Sequence, residues 1–144
     1  RREFVMPQVK KIDHIAILVS DMEATLDFWQ DALGLEVAGV QDVPAEQAQI
    51  AFLPTGDSEI ELVRPTSEDS GLARYLEKRG PGMHHICLEV DDIEGMLEHL
   101  KARGVQLINE QPRVGADGRR YAFIHPKAAY GVMVELYELP AVSE

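Results

Sequence analysis

The 144-residue chain is 45% hydrophobic and 27% charged, a composition typical of a globular protein that folds without disulfides or metal. Its 25 acidic and 14 basic residues give a formal net charge of −11, which disfavours contact with a phosphate backbone, so we expect no nucleic-acid partner. The single cysteine, Cys87, excludes an internal disulfide framework, and the lack of an apolar run of about 18 residues predicts a cytoplasmic protein without a membrane partner.

The first half of the chain predicts a strand, a helix and three further strands. A strand at 14–19 leads into the sequence SDME, a capping box in which we expect Ser20 to be the N-cap. An amphipathic helix follows, and Gly34 is placed to end it. The apolar stripe of this helix is Met22, Leu26, Trp29 and Leu33. The strand-like runs after it lie at roughly 36–40, 48–53 and 58–64.

The second half predicts the same elements after a short helix at 68–79, which Gly80 and Pro81 end. A strand at 85–90 leads into DDIE, where we expect Asp91 to be the N-cap of a second amphipathic helix. The apolar stripe of that helix is Ile93, Met96, Leu97 and Leu100, and its C-terminal glycine is Gly104. The strands that follow are expected at roughly 105–109, 119–125 and 132–138.

The two halves are copies of one another. Residues 12–26 align with residues 83–97 at an offset of 71, and six of the fifteen aligned positions are identical. The same offset pairs AFL at 51–53 with AFI at 122–124, and three extra residues then place IEL over VEL. Each half is therefore predicted to be a βαβββ module whose open sheet needs a partner face.

This duplication predicts an α+β fold in which two tandem βαβββ modules form a cupped, pseudo-twofold mixed β-sheet barrel with flanking helices. We expect a single domain over residues 1–144, with one module at about 10–66 and the other at about 82–140. The connection between them, 68–80, is expected to be short and helical.

The repeat distinguishes between two neighbouring histidines. His85 aligns with His14, whereas His84 aligns with Asp13. Because adjacent residues of a strand point to opposite faces, we expect His85 to face inward and His84 to face outward.

The repeat also selects a glutamate from each half, Glu61 and Glu135, each within an alternating apolar strand. Burying a carboxylate costs several kcal/mol unless it is paired or bound to metal. Taken alone, a strand histidine is more often structural and a strand glutamate more often faces water, but the recurrence in both halves favours a metal site. Together with His14 and His85 they offer an N₂O₂ ligand set with two open positions, suited to Co, Ni, Mn, Fe or Zn.

A basic segment at 113–127 stands out in this acidic chain. It contains a single acidic residue, Asp117, and its basic residues are Arg113, Arg119, Arg120 and Lys127. These side chains either form a solvated hairpin flank or bind a small anion. We assign no functional role to His99, on the helix, or to His125, which precedes a proline and is expected in a turn.

These features resemble a known family. Paired βαβββ modules, each with a strand histidine and a late-strand glutamate, resemble the vicinal-oxygen-chelate, or glyoxalase-type, superfamily. The motifs DHIAILV, GDSEIELVRP, GMHHICLEVDDIE and FIHPK with GVMVELYE are similar to those of the methylmalonyl-CoA epimerase family within it. The resemblance covers nearly all of residues 10–138.

The resemblance implies a divalent metal ion (Co, Ni, Mn, Zn or Fe) held by His14, Glu61, His85 and Glu135. It implies an isomerase that interconverts (R)- and (S)-methylmalonyl-CoA by carboxylate-mediated proton transfer at C2 through a metal-stabilised enediolate. A small-molecule acyl-CoA substrate and a homodimer are expected from it, with the basic segment in contact with the phosphates of coenzyme A.

One position departs from the family pattern. The family includes epimerases with a base glutamate on the strand that here reads EQAQIAFLP, where the inward candidates are Gln49 and Ile50. Neither side chain can take a proton from carbon, and Glu46 lies on the preceding loop. Glu135 is therefore the first candidate for the base, and its symmetric mate Glu61 is the second.

Three other functions stay open within the resemblance. Glyoxalase I (lactoylglutathione lyase) acts on a glutathione hemithioacetal and would use the same four ligands. An extradiol dioxygenase would use two histidines and one carboxylate, but would carry histidine at the position of Glu61. A metal-free ligand-binding protein of the antibiotic-resistance type needs no ligand set, so four metal-competent residues disfavour it.

Overall fold

The computed structural model describes residues 5–115 and 117–141, which fall into two compact units. The first unit is residues 14–84, and the second unit is residues 5–13 together with residues 85–141. The first unit holds the first repeat from His14 onward and includes the helix that connects the repeats.

Both repeats have the βαβββ order expected from the sequence, so the α+β class is confirmed. Among the described residues, the helices are α1 (Met22–Leu26), α2 (Gly71–Arg79) and α3 (Ile93–Ala102), with a π-helix at Asp27–Ala32 and 3₁₀-helices at Pro44–Glu46 and Pro126–Ala129. The strands are β1 (Val9–Leu18), β2 (Gly39–Val43), β3 (Ala48–Thr55), β4 (Ser58–Pro65), β5 (Gly82–Val90), β6 (Arg113–Val114), β7 (Arg120–Ile124) and β8 (Val134–Glu138).

The first unit is a mixed sheet in the order β2–β3–β4–β1, with β1 parallel to β4 and the other pairs antiparallel. Alternation along the strands gives it two apolar faces. One face packs against α2 through Ala16, Leu18, Ile50, Val63, Leu72, Tyr75 and Leu76. The other packs against α1 through Val19, Met22, Ala51, Leu53 and Leu62.

The second unit repeats this arrangement with β5–β8–β7–β6, in which β5 is parallel to β8 and β7 is antiparallel to both of its neighbours. Its core lies between the sheet and α3, where Ile93 and Leu97 are 0% and 1% exposed and pack with Ala122 and Leu136. The sheet-facing stripe of this helix agrees with the sequence pattern.

Two predicted strands of the modules differ from the structure. The first strand after α1 lies at Gly39–Val43 rather than at 36–40, and the strand expected at 105–109 is wrong. There Leu107 makes only an isolated bridge with Ile124. The Asn109 side chain accepts a hydrogen bond from the Phe123 N–H at 2.8 Å, so it takes a position that a strand carbonyl would otherwise fill.

The N-caps of α1 and α3 are each one residue later than the capping-box pattern predicts. Asp21 Oδ1 accepts from the Ala24 N–H, and Asp92 Oδ1 accepts from the Gly95 N–H, both at 3.0 Å. Ser20 and Asp91 are therefore not the caps. Asp91 instead accepts a hydrogen bond from the Gln8 N–H at 2.9 Å and fixes the chain that enters β1.

The helix after Asp21 does not keep one apolar stripe. Beyond Leu26 it widens into a π-helix, in which the Leu33 N–H donates to the Phe28 carbonyl five residues back. This changes the residues per turn, so Leu33 leaves the buried stripe and is 55% exposed. Gly34 then ends the helix with φ of 85°, as its position in the sequence predicts.

The described helices include none that is long and apolar enough to span a membrane.

The revised cap gives a stability prediction. Asp21→Ala should lower the free energy of unfolding by about 1 kcal/mol, because it leaves a first-turn N–H without its side-chain acceptor. Ser20→Ala, at an exposed neighbouring position, is the matched control and should change it by less than about 0.5 kcal/mol. Urea denaturation followed by circular dichroism measures both, and the opposite ranking would contradict the assignment.

Candidate active site

In the first unit, parallel pairing brings His14 beside Glu61. Ala16 on β1 lies opposite Glu61 on β4, so His14, two residues earlier, lies on the same face as Glu61 and diagonal to it. His14 Nδ1 is 3.4 Å from Glu61 Oε2, and the two side chains are 12% and 16% exposed.

The second unit repeats this contact with His85 and Glu135. Cys87 on β5 lies opposite Glu135 on β8, which gives His85 the same diagonal position. His85 Nε2 is 3.1 Å from Glu135 Oε1, and the side chains are 13% and 16% exposed. The four residues that the repeat selects therefore form two histidine–glutamate pairs in the same strand register, one in each unit, with Nδ1 of His14 and Nε2 of His85 nearest the carboxylate.

The donor chemistry of each pair fits a divalent ion. An imidazole nitrogen and a carboxylate oxygen are the ligands that borderline metals take, and both are largely shielded from water here. A carboxylate in such a setting needs a cation or a hydrogen-bond donor, and the histidine beside it supplies one when it carries a proton. Each pair could thus provide one nitrogen and one oxygen ligand.

His84 is not turned out to solvent, which corrects the sequence expectation. Its ring packs edge-on against Tyr75 of α2, with ring centroids 4.7 Å apart. Tyr75 in turn lies under the Arg79 guanidinium at 5.2 Å from the ring centroid. His84 is therefore a packing residue of the first unit. The alternation of strand residues does not predict that α2 covers this side chain.

The two candidates on β3 lie on opposite faces. Ile50 lies opposite Val63, two residues from Glu61, so it shares the face of Glu61, where it is 5% exposed in the core. Gln49 lies on the other face and its Oε1 accepts from Arg64 Nε at 3.0 Å, so the inward orientation considered for Gln49 is wrong. Neither residue supplies a base beside the first pair.

The faces that carry the two pairs differ in polarity. At three positions where the first unit has aliphatic residues, the second unit has polar or aromatic ones. The aligned residues are Leu18 and Glu89, Ile50 and Tyr121, and Val63 and Tyr137. Sequence reasoning missed these positions, although the repeat alignment itself contains the signal, since a core position in one copy becomes polar in the other.

Tyr137 is the centre of this polar face. It is 4% exposed, and its hydroxyl lies 2.7 Å from Asp13 Oδ1 and 3.2 Å from Glu89 Oε1. Burial and the hydrogen bond to Asp13 raise the pKa of Tyr137 well above its usual value, so the hydroxyl keeps its proton and donates it. Lys10 Nζ lies 3.3 Å from Glu89 Oε2 and balances that buried carboxylate.

Two arginines of the basic segment bind carboxylates of their own unit. Arg120 lies 2.7 Å from Glu138 and 3.0 Å from Glu94, and the hydrogen bond to Glu138 raises the pKa of Arg120. Arg119 lies 3.2 Å from Asp117, and its guanidinium stacks on the Tyr137 ring at 4.9 Å.

The other two basic residues of the segment, Arg113 and Lys127, are exposed. Lys127 follows His125, whose Nδ1 accepts from the Lys127 N–H at 3.0 Å and caps the 3₁₀-helix Pro126–Ala129. The turn expected at His125 is confirmed. Of the four basic residues that the sequence selects, Arg113 and Lys127 are therefore the more accessible to a ligand.

The family of the chain follows from comparison with known proteins. The family model described as "Glyoxalase/Bleomycin resistance protein/Dioxygenase superfamily" matches residues 13–123, and the chain belongs to this superfamily. The ethylmalonyl-CoA/methylmalonyl-CoA epimerase of Cereibacter sphaeroides is 37% identical over 133 residues, which are 91% of this chain and 99% of that protein.

Solved structures agree with this assignment and confirm the expected fold. A variant of Streptomyces coelicolor methylmalonyl-CoA epimerase in complex with 2-nitronate-propionyl-CoA has a TM-score of 0.80 and 34% identity, covering 95% of this chain and 99% of that one. A hypothetical protein from Bacillus halodurans has a TM-score of 0.84 and 42% identity, covering 93% and 97%. The homologues of this chain thus include epimerases, which are isomerases.

Ion pairing of Arg120 predicts that it stabilises the fold. Arg120→Ala should lower the free energy of unfolding by about 1 kcal/mol, because Glu138 and Glu94 lose a shared cation at a partly exposed site. Arg113→Ala is the matched control at an exposed position and should change it by less than about 0.5 kcal/mol. Urea denaturation measures both values, and equal effects would contradict the structural role of Arg120.

Proposed function

We propose that this protein is a divalent-metal-dependent epimerase that interconverts (R)- and (S)-methylmalonyl-CoA. The observation that carries the proposal is the histidine–glutamate pair present in the same diagonal geometry in each unit. The fold in which the pairs occur is shared with methylmalonyl-CoA epimerases at 34–37% identity.

The metal ion is proposed to be held by His14 and Glu61 from the first repeat and by His85 and Glu135 from the second. The support is the matching register of the two pairs and their N₂O₂ donor set, which suits Co, Ni, Mn, Zn or Fe. Held by these residues, a divalent ion would supply Lewis-acid stabilisation of the negative charge that develops when the C2 proton leaves.

Epimerisation then requires two proton transfers at C2 and no oxidant or reductant. The C2–H bond breaks on one face of the carbon, and its proton passes to a carboxylate. The carbon becomes planar, and a second acid group delivers a proton to the opposite face. Two groups that serve opposite faces are therefore needed, and the repeat offers one glutamate from each half as a candidate.

Glu135 is proposed as the first base and Glu61 as the group that serves the other face. The support is partly exclusion on β3, because Ile50 lies in the core and Gln49 hydrogen-bonds to Arg64. The low exposure of both glutamates, 16% each, limits competing proton exchange with water.

The acyl-CoA substrate is proposed to contact the basic segment of the second unit. Arg113 and Lys127 are the first candidates for its phosphates because they are exposed. Arg119 and Arg120 are retained as candidates, although carboxylates already neutralise part of their charge.

A cytoplasmic location, a homodimer and a single-domain organisation over residues 1–144 complete the proposal.

Deuterium exchange tests the two-base mechanism. In deuterated water, the wild type should incorporate deuterium at C2 of one methylmalonyl-CoA epimer and invert it. Glu135→Gln and Glu61→Gln should each slow inversion by about 100-fold or more, because one face loses its base. Each variant should still exchange the proton on the face that the remaining glutamate serves. Chiral separation with mass spectrometry resolves exchange from inversion.

The control for this experiment is Glu46→Gln, an exposed glutamate before β3, which should keep both exchange and inversion. A wild type that incorporates no deuterium above the uncatalysed rate would refute the epimerase proposal. Turnover of the glutathione hemithioacetal of methylglyoxal by the same preparation would then identify a glyoxalase I activity instead.

Metal loading tests the ligand set separately from catalysis. Wild type dialysed against Co²⁺ or Zn²⁺ should retain metal after desalting, and His14→Ala or His85→Ala should each weaken metal binding by more than about tenfold. His99→Ala, on α3, is the control and should bind as the wild type does. Elemental analysis and cobalt absorption measure the result, and full loading of both site variants would contradict the proposal.

A further inference from the structure

The connection between β7 and β8 is where the two repeats differ most in length. The matching connection in the first unit, between β3 and β4, is the two residues 56–57. The β7–β8 connection is the nine residues 125–133. Because the short turn already joins equivalent strands, the longer loop is not needed for the strand order.

This loop is held in one shape by its own hydrogen bonds. The Ala128 N–H donates to the His125 carbonyl at 2.9 Å, and the Gly131 N–H donates to the Pro126 carbonyl at 2.8 Å. With the His125 side chain on the Lys127 N–H, these bonds define the 3₁₀-helix and the turn that follows it. The side chains of the loop are therefore presented on a defined backbone.

Tyr130, at this turn, has an unfavourable backbone conformation and an aromatic side chain that is exposed to solvent. Its φ is 56°, in the left-handed region that favours glycine, and its side chain is 98% exposed. A glycine would relieve the backbone strain, and a polar residue would suit the exposure. Stability therefore does not explain this tyrosine, and residues held in such conformations are common at ligand-binding sites.

We propose that Tyr130 and Lys127 form a subsite for the nucleotide end of an acyl-CoA, an inference that rests on the proposed function. An exposed phenol ring offers a stacking surface for adenine, and the exposed Lys127 ammonium offers a cation for a phosphate. The net charge of −11 repels phosphates elsewhere on the surface, so a local cation is required to hold them.

The number of residues between Tyr130 and Glu135 limits how far the subsite lies from the proposed base. Tyr130 is five positions before Glu135, so their Cα atoms lie at most about 18 Å apart. An extended pantetheine arm spans such a distance. The same loop therefore presents the nucleotide subsite and leads directly into the strand that carries the proposed base.

The test compares two thioesters. Methylmalonyl-pantetheine lacks the nucleotide, so the ratio of kcat/KM for methylmalonyl-CoA to kcat/KM for methylmalonyl-pantetheine isolates nucleotide recognition. Tyr130→Ala should lower this ratio about tenfold, the scale of one lost base–aromatic stack, and Tyr130→Phe should retain it. Phe28→Ala, at a 54% exposed aromatic of the first unit, is the matched control and should leave the ratio unchanged.

A glycine substitution separates binding from structure. Tyr130→Gly should raise the Tm, because glycine adopts the left-handed conformation without strain, while it lowers the ratio as Tyr130→Ala does. If Tyr130 acted only through the structure of the loop, Tyr130→Gly would raise the ratio together with the Tm. Lys127→Ala should also lower the ratio, with a smaller effect at high salt.

An unchanged ratio in Tyr130→Ala, with both thioesters turned over, would overturn the subsite and leave the proposed function intact. If the wild type turns over neither thioester, the proposed function fails, and calorimetric titration with coenzyme A then tests the subsite directly. If Tyr130→Ala binds coenzyme A about tenfold more weakly than Phe28→Ala does, the result supports the subsite. Equal binding of coenzyme A by the two variants overturns it.

Discussion

One diagonal contact underlies the site, and the chain makes it twice. A strand histidine lies against a glutamate on the parallel neighbouring strand, because the glutamate is opposite the residue two positions after the histidine. Parallel pairing of the first and last strands of each module gives this register. The contact matters because a shielded carboxylate needs a cation or a hydrogen-bond donor beside it. The contact also places a nitrogen ligand next to an oxygen ligand. Metal binding and proton transfer in the proposed function both depend on these pairs.

Duplication preserved this contact but not its surroundings. In the first unit, the face with His14 continues into aliphatic residues that α2 covers, and Ile50 is part of that core. In the second unit, the equivalent face carries Tyr137 in contact with two carboxylates, and the basic segment lies in the same unit. This face is thus an apolar core in the first unit and a polar, hydrogen-bonded surface in the second. This asymmetry is consistent with substrate recognition assigned mainly to the second repeat.

Most of the fold and the histidine–glutamate pairs could be predicted from the sequence because both depend on periodicity, and the repeat supplies each periodicity twice. Details set by single hydrogen bonds could not. The N-cap of α1 is Asp21 and not Ser20. Both residue types suit an N-cap, and only the backbone conformation decides which side chain reaches the N–H three residues later. The strand expected at 105–109 was replaced because an asparagine side chain took a place in the ladder.

The sequence by itself determined the duplication, the βαβββ order and the four residues that repeat, since these follow from spacing and identity along the chain. Only the tertiary structure decided which side chains already have partners. It pairs Arg120 with two carboxylates, places Gln49 on the face away from Glu61, and presents Tyr130 to solvent on a left-handed turn. Those outcomes depend on residues far apart in the chain or on backbone angles, and neither can be read from local pattern.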